Sequence, residues 1–183
     1  MKEFKRTVTR FAEEVKQDAK SILTKNKASG SLSESIKYTV KQNRDSSGRF
    51  QSGFNITFDF EEYGKYIDKG VHGATSSYIE NKKSPYKYRN KKPHSSFFEK
   101  WIKQKGIKGR IRKEWKGSEG KAGRFITNKS LSYLIARSIY NKGIKASMFF
   151  TKPFEANLRK FGDDFVISYA NDILNVYKSK RNT

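Results

Sequence analysis

Between residues 3 and 27, apolar side chains recur at Phe4, Val8, Phe11, Val15, Ala19 and Ile22, in steps of four, three, four, four and three. A helix turns about 100° per residue and gathers these positions into one stripe. Lys5, Arg6, Glu13, Glu14 and Lys20 fall elsewhere. So long a stripe cannot stay in water, and it predicts a helix laid across a sheet, with a neighbouring copy of the protein as the other possible cover. Asn26 to Gly30 is expected to end the helix, with Gly30 as the turn residue.

The sheet is supplied by two alternating runs. Leu32, Ile36, Tyr38 and Val40 share one parity against Lys37, Thr39 and Lys41, which predicts a strand over about 35–42. Phe54, Ile56, Phe58 and Phe60 alternate with Asn55, Thr57 and Asp59 in a second. Turn-forming residues from Asn43 to Arg49 lie between, so the two strands are expected to pair as an antiparallel hairpin with a long, mobile tip. After the second strand, residues 61–73 interleave aromatics, carboxylates and glycines. Gly64, Gly70 and Gly73 permit positive φ or close backbone approach there, which would let Tyr63, Tyr66 and Ile67 reach the core across a bulge or turn.

Residues 74–93 lack periodicity. Ser96-Phe97-Phe98-Glu99 has capping-box spacing and predicts a helix over about 96–105, with Phe97, Phe98, Trp101 and Ile102 as its apolar face and Gly106 as its stop. A basic loop around Trp115 follows, then a helix from about Asn128 to Lys142 with Leu131, Leu134, Ile135, Ser138 and Ile139 on one side. Thr151 as cap and Pro153 in the first turn predict a further helix carrying Phe154, Leu158 and Phe161. Asp163 or Asp164 would open a last one with Phe165, Tyr169, Ile173 and Val176 on its stripe. The expected fold is α+β: a long N-terminal amphipathic helix on a small antiparallel sheet, with C-terminal helices and a basic insert. Residues 1–73 and 126–177 would form the core domain, 74–125 the insert, and 178–183 a flexible tail.

The 183 residues suit one domain with an extension, and 34% hydrophobic content, rich in Phe and Tyr, implies a modest core. With no cysteine, disulfides and thiolate chemistry are excluded. No apolar run approaches the roughly 20 residues of a membrane span, and the charged start lacks an apolar signal core, so a secreted precursor is not expected. The formal charge is +22, and residues 82–124 alone hold 16 basic and three acidic side chains. That balance points to a polyanionic or acidic partner, although lysines also serve plain solubility. The candidate contacts are Lys82, Lys83, Lys87, Arg89, Lys91, Lys92, Lys108, Arg110, Arg112, Lys113, Trp115 and Lys116, where cations alternate with aromatics suited to stacking.

Catalytic constellations are weak by comparison. Glu61, Glu62 and Asp68 resemble a metal-binding carboxylate group, but adjacent Glu61 and Glu62 would point to opposite faces of a strand. His72 and His94 read as surface groups among loop residues. Neither Gly64-Lys65 nor the glycines between 117 and 123 have phosphate-loop spacing. No cofactor or metal is expected.

Three stretches carry a family resemblance. Gly30-Ser31-Leu32-Ser33-Glu34-Ser35-Ile36 is similar to a Gly-x-Leu-x-x-Ser-Ile lead into a first strand, Tyr63-Gly64-Lys65-Tyr66-Ile67-Asp68-Lys69-Gly70 to a Tyr-Ala-x-Tyr-Val-Glu-x-Gly signature, and Met148-Phe149-Phe150-Thr151-Lys152-Pro153-Phe154 to a Pro-Phe-Leu-x-Pro-Ala helix start. In this order they resemble the neck and tail-completion proteins of tailed double-stranded-DNA phages, the putative tail-component family, over about half the chain. Met148 stands where the first proline is usual and Gly64 where alanine is common. The resemblance implies a non-catalytic virion protein of the neck or tail, assembled in the bacterial host cytoplasm as a homo-oligomeric ring of about twelve rather than about six copies. Its implied neighbours are portal-side connector and tail proteins and the packaged DNA in the channel, with no membrane. The roles it implies for Tyr63, Gly64, Tyr66, Asp68, Gly70 and Pro153 are structural. A sequence-nonspecific nucleic-acid-binding protein free in the cytoplasm is the alternative.

Overall fold

The first helix, α1 (Lys2–Lys25), buries Val8, Phe11, Val15 and Ala19 of its stripe, and also Ala12 and Leu23. The extra residues are buried because α1 is covered on more than one side. In the computed structural model, which describes residues 2–25, 30–44, 46–48, 50–112 and 120–181, the chain divides into two units, Met1–Asp68 with Ser147–Thr183, and Lys69–Ala146.

In the first unit, α2 (Gly30–Ser35) precedes a hairpin of β1 (Lys37–Arg44) and β2 (Phe50–Asp59). Gly30 therefore opens a short helix instead of closing the first one, and Leu32 is buried from that helix, not from a strand. The hairpin is antiparallel, pairing Tyr38 with Phe58, Val40 with Ile56 and Gln42 with Phe54, as the alternation requires. Residues 46–48 of its turn are exposed. After it come α3 (Gly64–Lys69), and in the C-terminal part α6 (Thr151–Lys160) and α7 (Gly162–Arg181). Helix α1 packs against α2, both strands, α6 and α7.

Two apolar clusters result. One joins Ala19, Leu23, Leu32, Ile36 and Phe149, with Ile22, Phe60, Ile67 and Phe150 around them. The other joins Phe11, Val15 and Phe161, flanked by Ile56, Phe58, Phe154 and Phe165. Phe11 meets three rings edge-on, with centroids 5.4 Å from Phe165, 5.7 Å from Phe161 and 5.8 Å from Phe154.

Two helix starts are held by carboxylates from distant parts of the chain. Asp172 of α7, 5% exposed, accepts the backbone N–H groups of Lys2 (2.9 Å), Glu3 (3.2 Å) and Phe4 (2.9 Å). Asp68 accepts those of Phe150 (2.8 Å) and Thr151 (3.2 Å) and the Thr151 hydroxyl. The Thr151 side chain thus donates to Asp68 and does not cap its own helix; the N-cap residue is Phe150. A carboxylate beside two or three otherwise unpaired N–H groups satisfies both the donors and the positive end of the helix dipole.

Several side chains depart from the sequence expectation. Tyr63 and Tyr66 do not enter the core, because α3 turns them outward at 40% and 36% exposure; Ile67 alone of the three packs inward. On α6 and α7, Leu158, Ile173 and Val176 are exposed, and Asn157, Ser168 and Asp172 occupy the buried positions. The last helix runs through Arg181, so residues 178–181 are not a flexible tail; residues 182–183 lie outside the described residues.

The second unit contains β3 (Val71–His72), a 3-10 turn (Ile79–Asn81), α4 (Ser96–Lys105), α5 (Asn128–Lys142) and β4 (Gly143–Ile144). Strands β3 and β4 pair antiparallel, and α4 packs on α5. The helix α5, assigned from sequence to the core domain, belongs with α4, and the expected insert 74–125 is only part of a larger unit. Ser96 lies inside α4 without a side-chain cap, so the capping box does not form, while Gly106 ends the helix at φ +62°. Phe97 and Trp101 are exposed, and Ile102 is the buried residue of α4. On α5 the buried residues are Ser132 and Ala136, whereas Leu134 and Ser138 are exposed. The small Ser132 and Ala136, four apart, take the buried positions on α5 in place of part of the expected stripe. The cap of α5 is Thr127, whose side chain accepts the Ser130 N–H at 3.2 Å.

Phe11→Ala should destabilise the protein by about 3–5 kcal/mol in urea unfolding, the cost of a large-to-small change in a closed cluster. A second expectation concerns acid. Burial raises the Asp172 carboxyl, but the backbone N–H bonds from Phe4, Glu3 and Lys2 outweigh it, leaving the pKa below its ordinary value of 3.8. With the folded pKa depressed, the unfolded state takes the proton first as pH falls. The contribution is complete above about pH 5 and disappears as pH passes down through the folded pKa. Asp172→Asn should therefore show a shallower loss of unfolding free energy between neutral and acid pH than the parent.

Candidate nucleic-acid and assembly interface

The second unit holds 21 of the 40 basic residues and four of the 18 acidic ones, a net of +17 in 78 residues, against +5 for the first. Asn81 fixes its backbone. Fully buried, it donates to the carbonyls of Val71 (2.9 Å) and Ile144 (2.8 Å) and accepts the Ala146 N–H (2.8 Å). Ser84 donates to the Gly70 carbonyl at 2.7 Å. Residues 86–88 then run beside β3, with the His72 N–H donating to Tyr86 and the Tyr88 N–H to His72. Lys82, Lys83, Lys87, Arg89, Lys91 and Lys92 are exposed along this tethered segment.

Its aromatics behave differently from the expected stacking surface. Tyr88 packs against Tyr140, ring centroids 6.1 Å apart, and burial pushes its phenol up. The Tyr140 hydroxyl donates to the Arg89 carbonyl at 2.7 Å, and Lys92 lies 5.5 Å from the Tyr140 ring. A second basic group stands where residues 109–111 meet 124–126: Ile111 donates to the Arg124 carbonyl, Gly123 to Ile111 and Ile126 to Gly109. Here Arg110 lies 4.4 Å and Lys108 5.8 Å from the exposed ring of Phe125. Arg112 is exposed, while Lys113, Trp115 and Lys116 lie outside the described residues. Tyr140 and Phe125, the rings that meet the cations, were missed from sequence because their partners are remote in the chain.

A cleft of about 420 Å³ is lined by His72, Gly73, Ala74, Thr75, Ser76, Ser77 and Lys87. His72 Nε2 lies 3.2 Å from the Ser84 carbonyl, which only accepts, so Nε2 donates and Nδ1, 2.7 Å from Ser77 Oγ, is left to accept in the neutral ring. Both nitrogens are thereby engaged. His94 bonds Ser96 Oγ locally at 2.7 Å.

At the junction after β2, Tyr63 Oη is 3.2 Å from Ser31 Oγ, and Lys65 lies 5.2 Å from the Tyr66 ring. Gly64 is buried, and a Cβ there would meet Phe60 at 2.6 Å and Leu32 at 3.0 Å. Gly70 has φ +72°, and its Cβ would stand 2.3 Å from Asn81 Oδ1. Pro153 is buried in the first turn of α6. Of the imagined carboxylate site, Asp68 is buried as a helix cap and Glu62 pairs with Lys65 at 2.8 Å; among the described residues no group of three metal-capable side chains occurs. No helix of the described residues is long and apolar enough to cross a membrane.

No family model, no curated protein and no solved structure matches the chain.

Gly70→Val combines a β-branched residue at positive φ with a clash on the side chain that organises the second unit. It should cost about 3 kcal/mol or more and raise hydrogen exchange at the Ala146 and Tyr88 amides.

Proposed function

We propose that this chain is a structural virion protein, a subunit of a head-to-tail connector or tail-completion ring of a tailed phage, without catalytic activity. The observation that carries the reading is that residues 30–36, 63–68 and 148–154 of the three resembling stretches pack together in the first unit. Ser31 Oγ of the first stands 3.2 Å from Tyr63 Oη of the second, Leu32 and Ile67 enclose Phe149 of the third, and Asp68 of the second holds the start of α6. The N–H groups of Ser147 and Met148 donate to the carbonyls of Ile67 and Asp68, tying the chain where it leaves and re-enters this unit. In this role the basic unit meets acidic surfaces of connector and tail proteins, or DNA in the channel.

A second reading rests on the +17 charge and on the cation–aromatic pairs at Phe125 and Tyr140: a sequence-nonspecific nucleic-acid-binding protein free in the cytoplasm. Negative-stain images of the purified protein separate the two. The connector reading expects closed rings, and expects the replacement of Lys108, Arg110, Arg112, Lys113 and Lys116 by Gln to leave a folded chain that assembles poorly. The second reading expects no rings and tight DNA binding at physiological salt, its log-log salt slope falling by about 0.9 for each phosphate that a substituted cation no longer neutralises. A parent protein that binds DNA in that way and stays monomeric when concentrated overturns the connector.

A further inference from the structure

Helix α7 carries apolar residues that its own unit does not cover. Val166 is 69% exposed, Ile167 58%, Ile173 51%, Leu174 52% and Tyr177 65%. Single exposed apolar residues are ordinary, but these share one side of one helix. At about 100° per residue they lie roughly 140° round from the packed side formed by Phe165, Ser168, Tyr169 and Asp172. The remaining side is polar, with Asp164, Asn171, Asn175 and Lys178. A helix covered on one side only has no use for a second apolar face.

The order of residues along that face identifies its occupant. Asp163, Val166, Ala170, Ile173, Tyr177 and Lys180 follow one another in steps of three, four, three, four and three, the spacing of a helix-pairing seam. The series of steps reads the same in both directions, while the chemistry is acidic at one end and basic at the other.

We propose that α7 pairs antiparallel with α7 of a second copy of this chain, about a two-fold axis between Asn171 and Asp172. Asp163 then faces Lys180, Val166 faces Tyr177, and the small Ala170 faces Ile173, so bulk meets space and each charge meets its opposite. Antiparallel helix dipoles add to the attraction. A parallel pairing would set acid against acid and base against base. One helix face per copy is at the low end of stable interfaces, so the dimer should dissociate on the order of micromolar concentration. The contact closes on itself and is independent of the connector reading.

Sedimentation equilibrium of the full chain tests it. The parent is expected to show a monomer–dimer step in the micromolar range, separate from any larger ring species, and Ile173→Glu, at an exposed site, to weaken that step at least roughly 100-fold while circular dichroism stays unchanged. The chain contains no cysteine, so single introduced thiols report orientation without interference. Asp163→Cys mixed with Lys180→Cys should give a mixed disulfide, whereas Asp163→Cys alone should not link, its two thiols standing about 25 Å apart along the helices. A parent that remains monomeric throughout, a dimer that survives Ile173→Glu, or linkage of Asp163→Cys to itself overturns the proposal. If Ile173→Glu proves misfolded, the two thiol variants decide. Ring images of the same samples judge the connector reading separately, since rings without this pairing, or pairing without rings, are distinct results.

Discussion

Enclosure of α1 is the constraint on which the first unit rests. Its 24 residues bury side chains toward the hairpin and toward α6 and α7, and Phe11 alone touches three rings from the C-terminal helices. An amphipathic helix gains most of its stability from such packing and little from its own propensity, so the hairpin and the C-terminal helices are conditions of one another's order. The sequence-distant halves of this unit, residues before 68 and after 147, are joined through that helix and through the carboxylates that hold helix starts.

Those carboxylates are engaged by the backbone. Asp68 belongs to the group of carboxylates that the sequence offers as metal ligands, and Asp172 lies inside the last helix. Each is instead occupied by backbone donors, and for Asp172 the donors hold the carboxyl below its ordinary range despite burial. A carboxylate already accepting two or three N–H bonds is stabilised in its charged form.

In the second unit charge and order are kept apart. Asn81, Ser84 and the β3–β4 pair consume the polar backbone groups inside, while lysines and arginines stay outside on segments pinned by neutral hydrogen bonds. Lys145 pairs with Glu80 at 2.7 Å, and the backbone that carries Lys82, Lys83 and Lys87 is fixed by neutral hydrogen bonds.

Much of the architecture was legible in periodicity. The stripe of α1, the parity of β1 and β2, the extents of α4 and α5, and the positive φ at Gly70 all follow from local rules of spacing and sterics, which act within a few residues. What local rules do not contain is which distant group satisfies a helix end or fills a face. Thr151 and Ser96 have the composition of caps, yet α6 is capped by Asp68 across 83 positions, and at α4 the N-cap residue Ser95 makes no side-chain cap bond. Tyr63 and Tyr66 look like core aromatics until the turn into α3 leaves them exposed, and α5 looks like part of the core domain until it packs with α4 in the second unit. Phe125 and Tyr140 became partners of the basic segments only once the chain had folded back on itself. The sequence by itself determined where the longer helices and the β1–β2 hairpin form, because their periods are written in adjacent residues, while the short α2, α3, β3 and β4 carry no such period. Only the tertiary structure decided which carboxylates are caps and which aromatics meet cations, because those depend on distances between residues the chain keeps far apart.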